Sequence, residues 1–358
     1  MRAPRILRDE EGISLLFVSV SMVVLLGMAA LAIDVGMLYH AKGQAQNAAD
    51  SCALAGAGAL ILSPGDDTVA IATGKQFAED HEIIKQQVVI VPAEDVIVDL
   101  PNGRVTCWAR RTEARGNAVP TFFAKVLGFD LVDVQATAIA EIGPADTASC
   151  LKPWAIPDAY DDVNHNGIFD AGDYYQKGVT SWGTDYRGPT MDFGVQLVLK
   201  VGRPGDAISP GQFFPIDLPI PNSPDTGGDR YRSNIYQCNS SIVQVGDFVF
   251  TENGNMVGPT KQGINDLIAL DPGAHWVNGV GIEGSAFPPG ATPRIGKVPM
   301  FDPRFPPTSG KHDLEVTNIA GFFIDGVQGN GTVTGHLVPT TGTGEGGPGL
   351  LMTVRLVK

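Results

Sequence analysis

Residues 13–33 read ISLLFVSVSMVVLLGMAALAI, an apolar run without one charged side chain. At the helical rise the run spans about 30 Å, the thickness of a bilayer's hydrocarbon core. A core helix of a soluble protein keeps a polar face over such a length, and this run has none. The pattern predicts a transmembrane helix. A cleaved signal peptide is the rival reading, but its apolar core is shorter, and here the helical pattern runs on through an alanine-rich stretch. Arg2, Arg5 and Arg8 precede the run, so the positive-inside rule puts residues 1–12 in the cytoplasm and the bulk of the chain outside it.

The helical period continues past the run. Val35, Leu38, Ala41, Ala45, Ala48, Cys52, Ala55 and Ala59 recur at steps of three or four, one face of mostly small side chains. Such a face packs either on the helix's own domain or on another helix. Ser63-Pro64-Gly65-Asp66-Asp67 then breaks the helix and caps a second one, through about Glu79. Period-2 alternation predicts strands over residues 85–91, 95–100, 104–111 and 131–142, with Pro101-Asn102-Gly103 as a turn. Residues 119–127 read as a short helix with Phe122-Phe123 as an aromatic anchor. From about Pro144 the chain becomes rich in Gly and Pro. Short apolar strands follow at residues 194–201, 242–251, 314–324, 331–339 and 350–357, with a helix at 260–270 and a long loop at 204–228. This spacing suggests a β-sandwich or an irregular β-domain. The predicted class is α+β, divided as tail 1–12, membrane helix 13–33, α+β domain 34–143 and β-rich domain 144–358.

Composition sharpens this picture. Gly 44 and Pro 26 in 358 residues favour a turn-rich body over a helical one. A net charge of −14 argues against nucleic acid, whose phosphates need basic side chains. Four cysteines permit two disulfides. Cys52 lies on the small face of the long helix, and Cys107 on an alternating strand which that helix should cover, so these two are expected to pair. Cys150 and Cys238 both fall in the β-rich part and form the second expected bridge.

Residues 8–60, from RDEEGISLL to LAGAGAL, resemble the N-terminal segment of TadE/TadG-like proteins of the tight-adherence (Flp) pilus system. The likeness is carried by Glu11-Gly12, the apolar run, Ala32-Ile33-Asp34-Val35-Gly36, Gln46-Asn47-Ala48-Ala49-Asp50 and Ala53-Leu54-Ala55-Gly56. Residues 116–124, GNAVPTFFA, and Ala136-Thr137-Ala138 extend it to about residue 142. The resemblance implies a pilin-like domain, a long helix laid on a small sheet. It departs from the family pattern twice. A prepilin carries Glu five residues after the glycine at the cut, and here Gly12 is followed at that distance by Phe17, so an unprocessed N-terminus is expected. The Asp-x-Ser-x-Ser metal motif of some TadG-like proteins is absent.

Motifs for enzymatic chemistry are scarce. The six histidines form no HExxH or His-x-x-x-His pair, and there is no CxxC, P-loop or GxSxG elbow. One motif stands out. Residues 162–173, DVNHNGIFDAGD, match a twelve-residue calcium loop of the EF-hand or dockerin kind. Asp162, Asn164 and Asn166 occupy positions 1, 3 and 5, Gly167 the sharp turn, Ile168 the carbonyl position, Asp170 position 9 and Asp173 position 12. A Ca²⁺ ion wants six to eight hard oxygens from a tightly curved chain, and this spacing offers them. An Asp/Asn/Gly surface turn favours the same residues.

Three functions fit. The first is a non-enzymatic structural or assembly component of a tight-adherence pilus, anchored in the bacterial inner membrane. Its partners would be other pilus-assembly or pseudopilin-like proteins, or a second copy joined through the small-residue face. The second is a calcium-stabilised adhesin or ligand-binding module on a membrane stalk. The third is a glycan hydrolase using paired carboxylates.

Overall fold

The computed structural model describes residues 10–357, apart from 167, 183–191, 202–213, 219–226, 253 and 307–312. The tail with Arg2, Arg5 and Arg8, the loop glycine Gly167 and most of the expected 204–228 loop lie outside the described residues. The architecture is mixed α+β. Two compact units form: residues 1–59, 66–141 and 356–358 make the first, and residues 60–65 and 142–355 the second.

The first unit is built on α1, Glu10–Leu62. Its first half is bare: Leu15, Phe17, Val23 and Leu26 are all 60% or more exposed. Its second half is covered. Ala41, Ala45, Ala48 and Cys52 are fully buried, because the missing side-chain bulk lets the helix lie close on its own sheet. Three strands of that sheet are antiparallel neighbours, β1 (Val96–Asp99), β2 (Arg104–Arg111) and β3 (Val134–Pro144). Val105, Cys107 and Ala109 face the helix from β2, as the alternation requires. A Cβ on Gly56 would lie 3.0 Å from Val105 Cγ1, so glycine sets the approach there. The small-residue stripe is thus occupied by the chain itself from Ala41 to Cys52, while Val35 at its start is exposed. That leaves it no free small face for a second copy over those positions. Helix α2, Asp67–Glu79, begins where expected, its N-cap Asp66 accepting the amides of Thr68 and Val69.

Two local expectations in this unit are corrected. Over residues 85–91 only Gln86–Gln87 pairs, with Glu82–Ile83, around Ile84 and Lys85 at positive φ. Val88 and Ile90 do point inward, but their amides bind His81 O and the Glu79 carboxylate instead of a neighbouring strand. Residues 119–127 are not one helix. Val119–Pro120 pairs with Leu131–Val132, and a single 3₁₀ turn, Ala124–Leu127, ends at Gly128 with φ 92°. Phe122 and Phe123 do not pack into the core of the unit, being 63% and 46% exposed.

The second unit holds a seven-stranded sheet: β4 (Trp154–Pro157), β5 (Gln196–Lys200), β6 (Phe214–Asp217), β7 (Phe248–Thr251), β8 (Ile295–Phe301), β9 (Asp313–Val327) and β10 (Val333–Val338). The order is β5-β10-β9-β7-β6-β4-β8, and β8 pairs again with β9, closing a five-stranded circuit. The β4–β8 contact is parallel and the others antiparallel. One side of this circuit carries Ala155, Ile216, Val249, Leu314, Val316 and Phe301. The register puts these on one face by alternation: Ile216 lies opposite Thr251, and Val249 opposite Leu314. The other face, with Trp154, Ile156, Met300 and Phe322, is covered by α3 (Gly228–Tyr236) and α4 (Val257–Leu270) through Tyr231, Ile235, Ile264 and Leu267. Trp154 Nε1 donates to Tyr231 Oη at 2.7 Å, fastening β4 to α3. Strands β4, β6 and β8 were not among the expected strands; Pro153 adjoins β4, and Pro215 and Pro299 lie within β6 and β8, where proline is uncommon. Strand β6 lies inside the segment expected to be loop, 204–228, and α3 begins at its last residue, Gly228.

Candidate functional site

Three places in the molecule carry chemistry that bears on function: the middle of α1 around Asp34, the acidic loop and the concave surfaces of the second unit.

Midway along α1, Asp34 follows the last residue of the apolar run and is 1% exposed. Its carboxylate accepts three successive backbone amides, Phe122 at 2.9 Å, Phe123 at 2.8 Å and Ala124 at 2.5 Å. These amides open the 3₁₀ turn, so a fixed anion caps them as an acidic residue caps a helix start. Thr121 adds to the closure: its hydroxyl donates to Phe129 O, and its amide to Asp130 O at 3.1 Å. The sequence contained both halves of this clamp, Asp34 and the PTFFA segment, with nothing to show that they meet. Further up, Lys42 Nζ donates to Gln135 O, and Gln46 Nε2 to Thr137 O at 3.2 Å, tying α1 to β3.

The cysteines pair as expected. Cys52 and Cys107 are bridged with Cα atoms 5.9 Å apart, and Cys150 and Cys238 with Cα atoms 4.4 Å apart.

In the acidic loop, Asp161 and Tyr174 exchange backbone hydrogen bonds at 2.8 and 3.2 Å and close its base. Asp173 accepts the amides of Val163 and Asp170. Asp162 and Asn164 oxygens accept the amide of Asn166, and Asn166 Oδ1 accepts the amide of Ile168. Asp170 accepts the side-chain amides of Asn164 and Asn166. The polar side chains therefore turn inward and satisfy one another. Asp162, Asp170 and Asp173 also lie near enough to the Tyr160 phenol to act on it; burial first, then these carboxylates, push it above its ordinary value. Phe169 packs edge-on against Tyr160, ring centroids 5.4 Å apart. Among the described residues no three His, Cys, Asp or Glu side chains stand in a metal-holding group.

Beside the loop, Asp158 is buried and raised by desolvation, against hydrogen bonds from Asn318, the Ala159 amide, Tyr175 and Thr317. The Tyr175 ring lies under Arg304, which holds Asp302 with two nitrogens. These residues line a concavity with Phe248, Asp313 and Glu315. Asp302 is committed to Arg304 and so is poorly placed as a free catalytic carboxylate. A second concavity is lined by Phe193, Trp276, Ile282 and Leu337. Behind it Trp276 stacks on His336 at 4.4 Å, and His336 Nδ1 meets Asp325 at 2.8 Å. Isolated aromatic and histidine positions gave the sequence reading no signal for this stack.

Residues 12–59 match the family model described as putative Flp pilus-assembly TadE/G-like. The matched stretch holds the whole apolar run, Asp34 and most of the buried alanine face. No curated protein and no solved structure matches the chain.

Proposed function

We propose that this chain is a membrane-anchored structural or assembly component of a tight-adherence (Flp-type) pilus, with both folded units on the extracytoplasmic side. The observation that carries the reading is α1 itself. Its family-matched segment is split into a bare apolar half and a half whose small residues lock onto a domain. Exposure of that many apolar side chains is unfavourable in water and is the expected state in lipid. The arginines before the run set the orientation by the positive-inside rule. Partners bind the exposed surface of the two units, since the alanine face from Ala41 to Cys52 is already filled.

Within this reading the 162–173 loop takes one structural Ca²⁺. Asp162, Asn164, Asn166, the Ile168 carbonyl, Asp170 and Asp173 would supply the oxygens, once the Asn side chains turn their carbonyls inward. The ion would offset repulsion among the three carboxylates and hold the loop shut.

The test is genetic. Deletion of the gene in its own organism should abolish surface pili while pilin synthesis continues. The full chain should restore them, and a chain with residues 13–33 replaced by a cleavable signal should not. Normal piliation in the deletion strain would contradict the proposal; the adhesin reading predicts that outcome, with loss of attachment alone.

A further inference from the structure

The loop pinned by Asp34 is the most exposed apolar segment of the folded part of the first unit. Phe122 is 63% exposed, Val126 84%, Leu127 71% and Phe129 62%. Four large apolar side chains so close together in one short loop are costly in water and mark an interaction surface. Their depth is fixed by the clamp. The amides of Phe122, Phe123 and Ala124 bind the carboxylate of Asp34, and Asp34 stands one helical step, about 1.5 Å, beyond Ile33. The loop therefore sits where the apolar run of α1 ends.

We infer that residues 122–129 lie in the membrane interface, with Phe122, Val126, Leu127 and Phe129 inserted at the boundary between headgroups and acyl chains. The occupant of this surface is lipid. The run of α1 ends at the hydrocarbon edge, and a loop hydrogen-bonded to its next residue shares that level. Lys125, within the same turn, suits anionic headgroups, its stem lying along apolar surface while the ammonium reaches water. The three amides hold the Asp34 carboxylate inside the protein, 1% exposed, so that it faces the loop backbone and not the lipid. The inference rests on α1 spanning the membrane. Its consequence is a second foothold: the domain is held to the bilayer by the loop as well as by the helix, so it cannot swing freely about one stalk.

The test uses the full chain in vesicles of phosphatidylcholine and phosphatidylglycerol. All four cysteines are in disulfides, so V126C carries the single reactive thiol for a fluorescent label. Val126 is exposed enough to accept it without disturbing the fold. L25C reports the middle of the span. L100C reports the far end of the sheet, since neighbouring Val105 packs on Gly56, 22 residues and roughly 33 Å beyond Asp34 along the helix. The expected result is quenching of the V126C label by lipids carrying a shallow quencher, with protection from aqueous iodide. L25C should respond to deep lipid quenchers and L100C to iodide alone. If V126C responds to iodide as L100C does, or is shielded from lipid and iodide alike by protein, the inference is overturned while the span stands. If L25C also escapes the lipid quenchers, the span falls and the inference with it.

Discussion

Asp34 and Phe122 stand 88 residues apart in the chain and are joined by a 2.9 Å hydrogen bond from the Phe122 amide to the Asp34 carboxylate. With the two amides that follow, this contact fixes the 122–129 loop to the helix that carries the apolar run. Substitution of Asp34 by Ala leaves three amides without their acceptor. Hydrogen exchange at Phe122, Phe123 and Ala124 should accelerate strongly, while the amides of β2 keep their protection. Unchanged exchange in D34A would mean that the turn holds itself.

The bridge between Cys52 and Cys107 closes 55 residues of chain. In the chain-entropy account a loop of this size contributes about 4 kcal/mol. A C52A/C107A double variant should unfold at markedly lower denaturant, with α1 loosened from β2. Peptide mapping without reductant should recover this pair together, and Cys150 with Cys238.

Lys152 is buried, and desolvation lowers its ammonium from 10.5 to about 8. Its folded value lies below its unfolded value, so folding releases a proton and disfavours the charged form. The resulting penalty, about 3 kcal/mol from the shift, is fully present below pH 8. It shrinks as pH rises from 8 towards 10.5, so stability attributable to this group rises over that window. Chemical denaturation of K152M across the window should show a flatter profile than the parent protein. A parent profile with no such rise would show that the ammonium is solvated.

Calcium binding to the 162–173 loop would stabilise only the folded form. At free calcium a hundredfold above the dissociation constant the gain is about 2.7 kcal/mol. Thermal melting should therefore drop in chelator, and Asp162→Ala should abolish most of the difference. Identical melting curves with and without chelator, at zero metal content, would leave the loop as a self-satisfied polar turn.

Legibility followed physical range. The membrane run, the α2 cap at Asp66 and the β2 alternation are local patterns, and each appears where the residues announce it. The Cys52–Cys107 pair was also readable, because it needs only one helical face laid on one strand face. Contacts that depend on tertiary placement were not. The hydrogen bonds from the amides of residues 122–124 to Asp34 join positions 88 to 90 residues apart, and no local pattern announces them. Strands β4, β6 and β8 contain or adjoin prolines, and the closed circuit tolerates these at short ladders that no local rule foresees. The acidic loop was legible as a spacing, and its inward-turned side chains agree with that spacing without identifying a ligand.

The central claim is a single-pass anchor with both folded units outside the cytoplasm. Single cysteines at Ala3 and Leu100 test it directly, labelled in intact spheroplasts with a membrane-impermeant maleimide. The account predicts that L100C reacts at once and A3C only after the membrane is permeabilised. Labelling of A3C with protection of L100C, or prompt labelling of both, would contradict it.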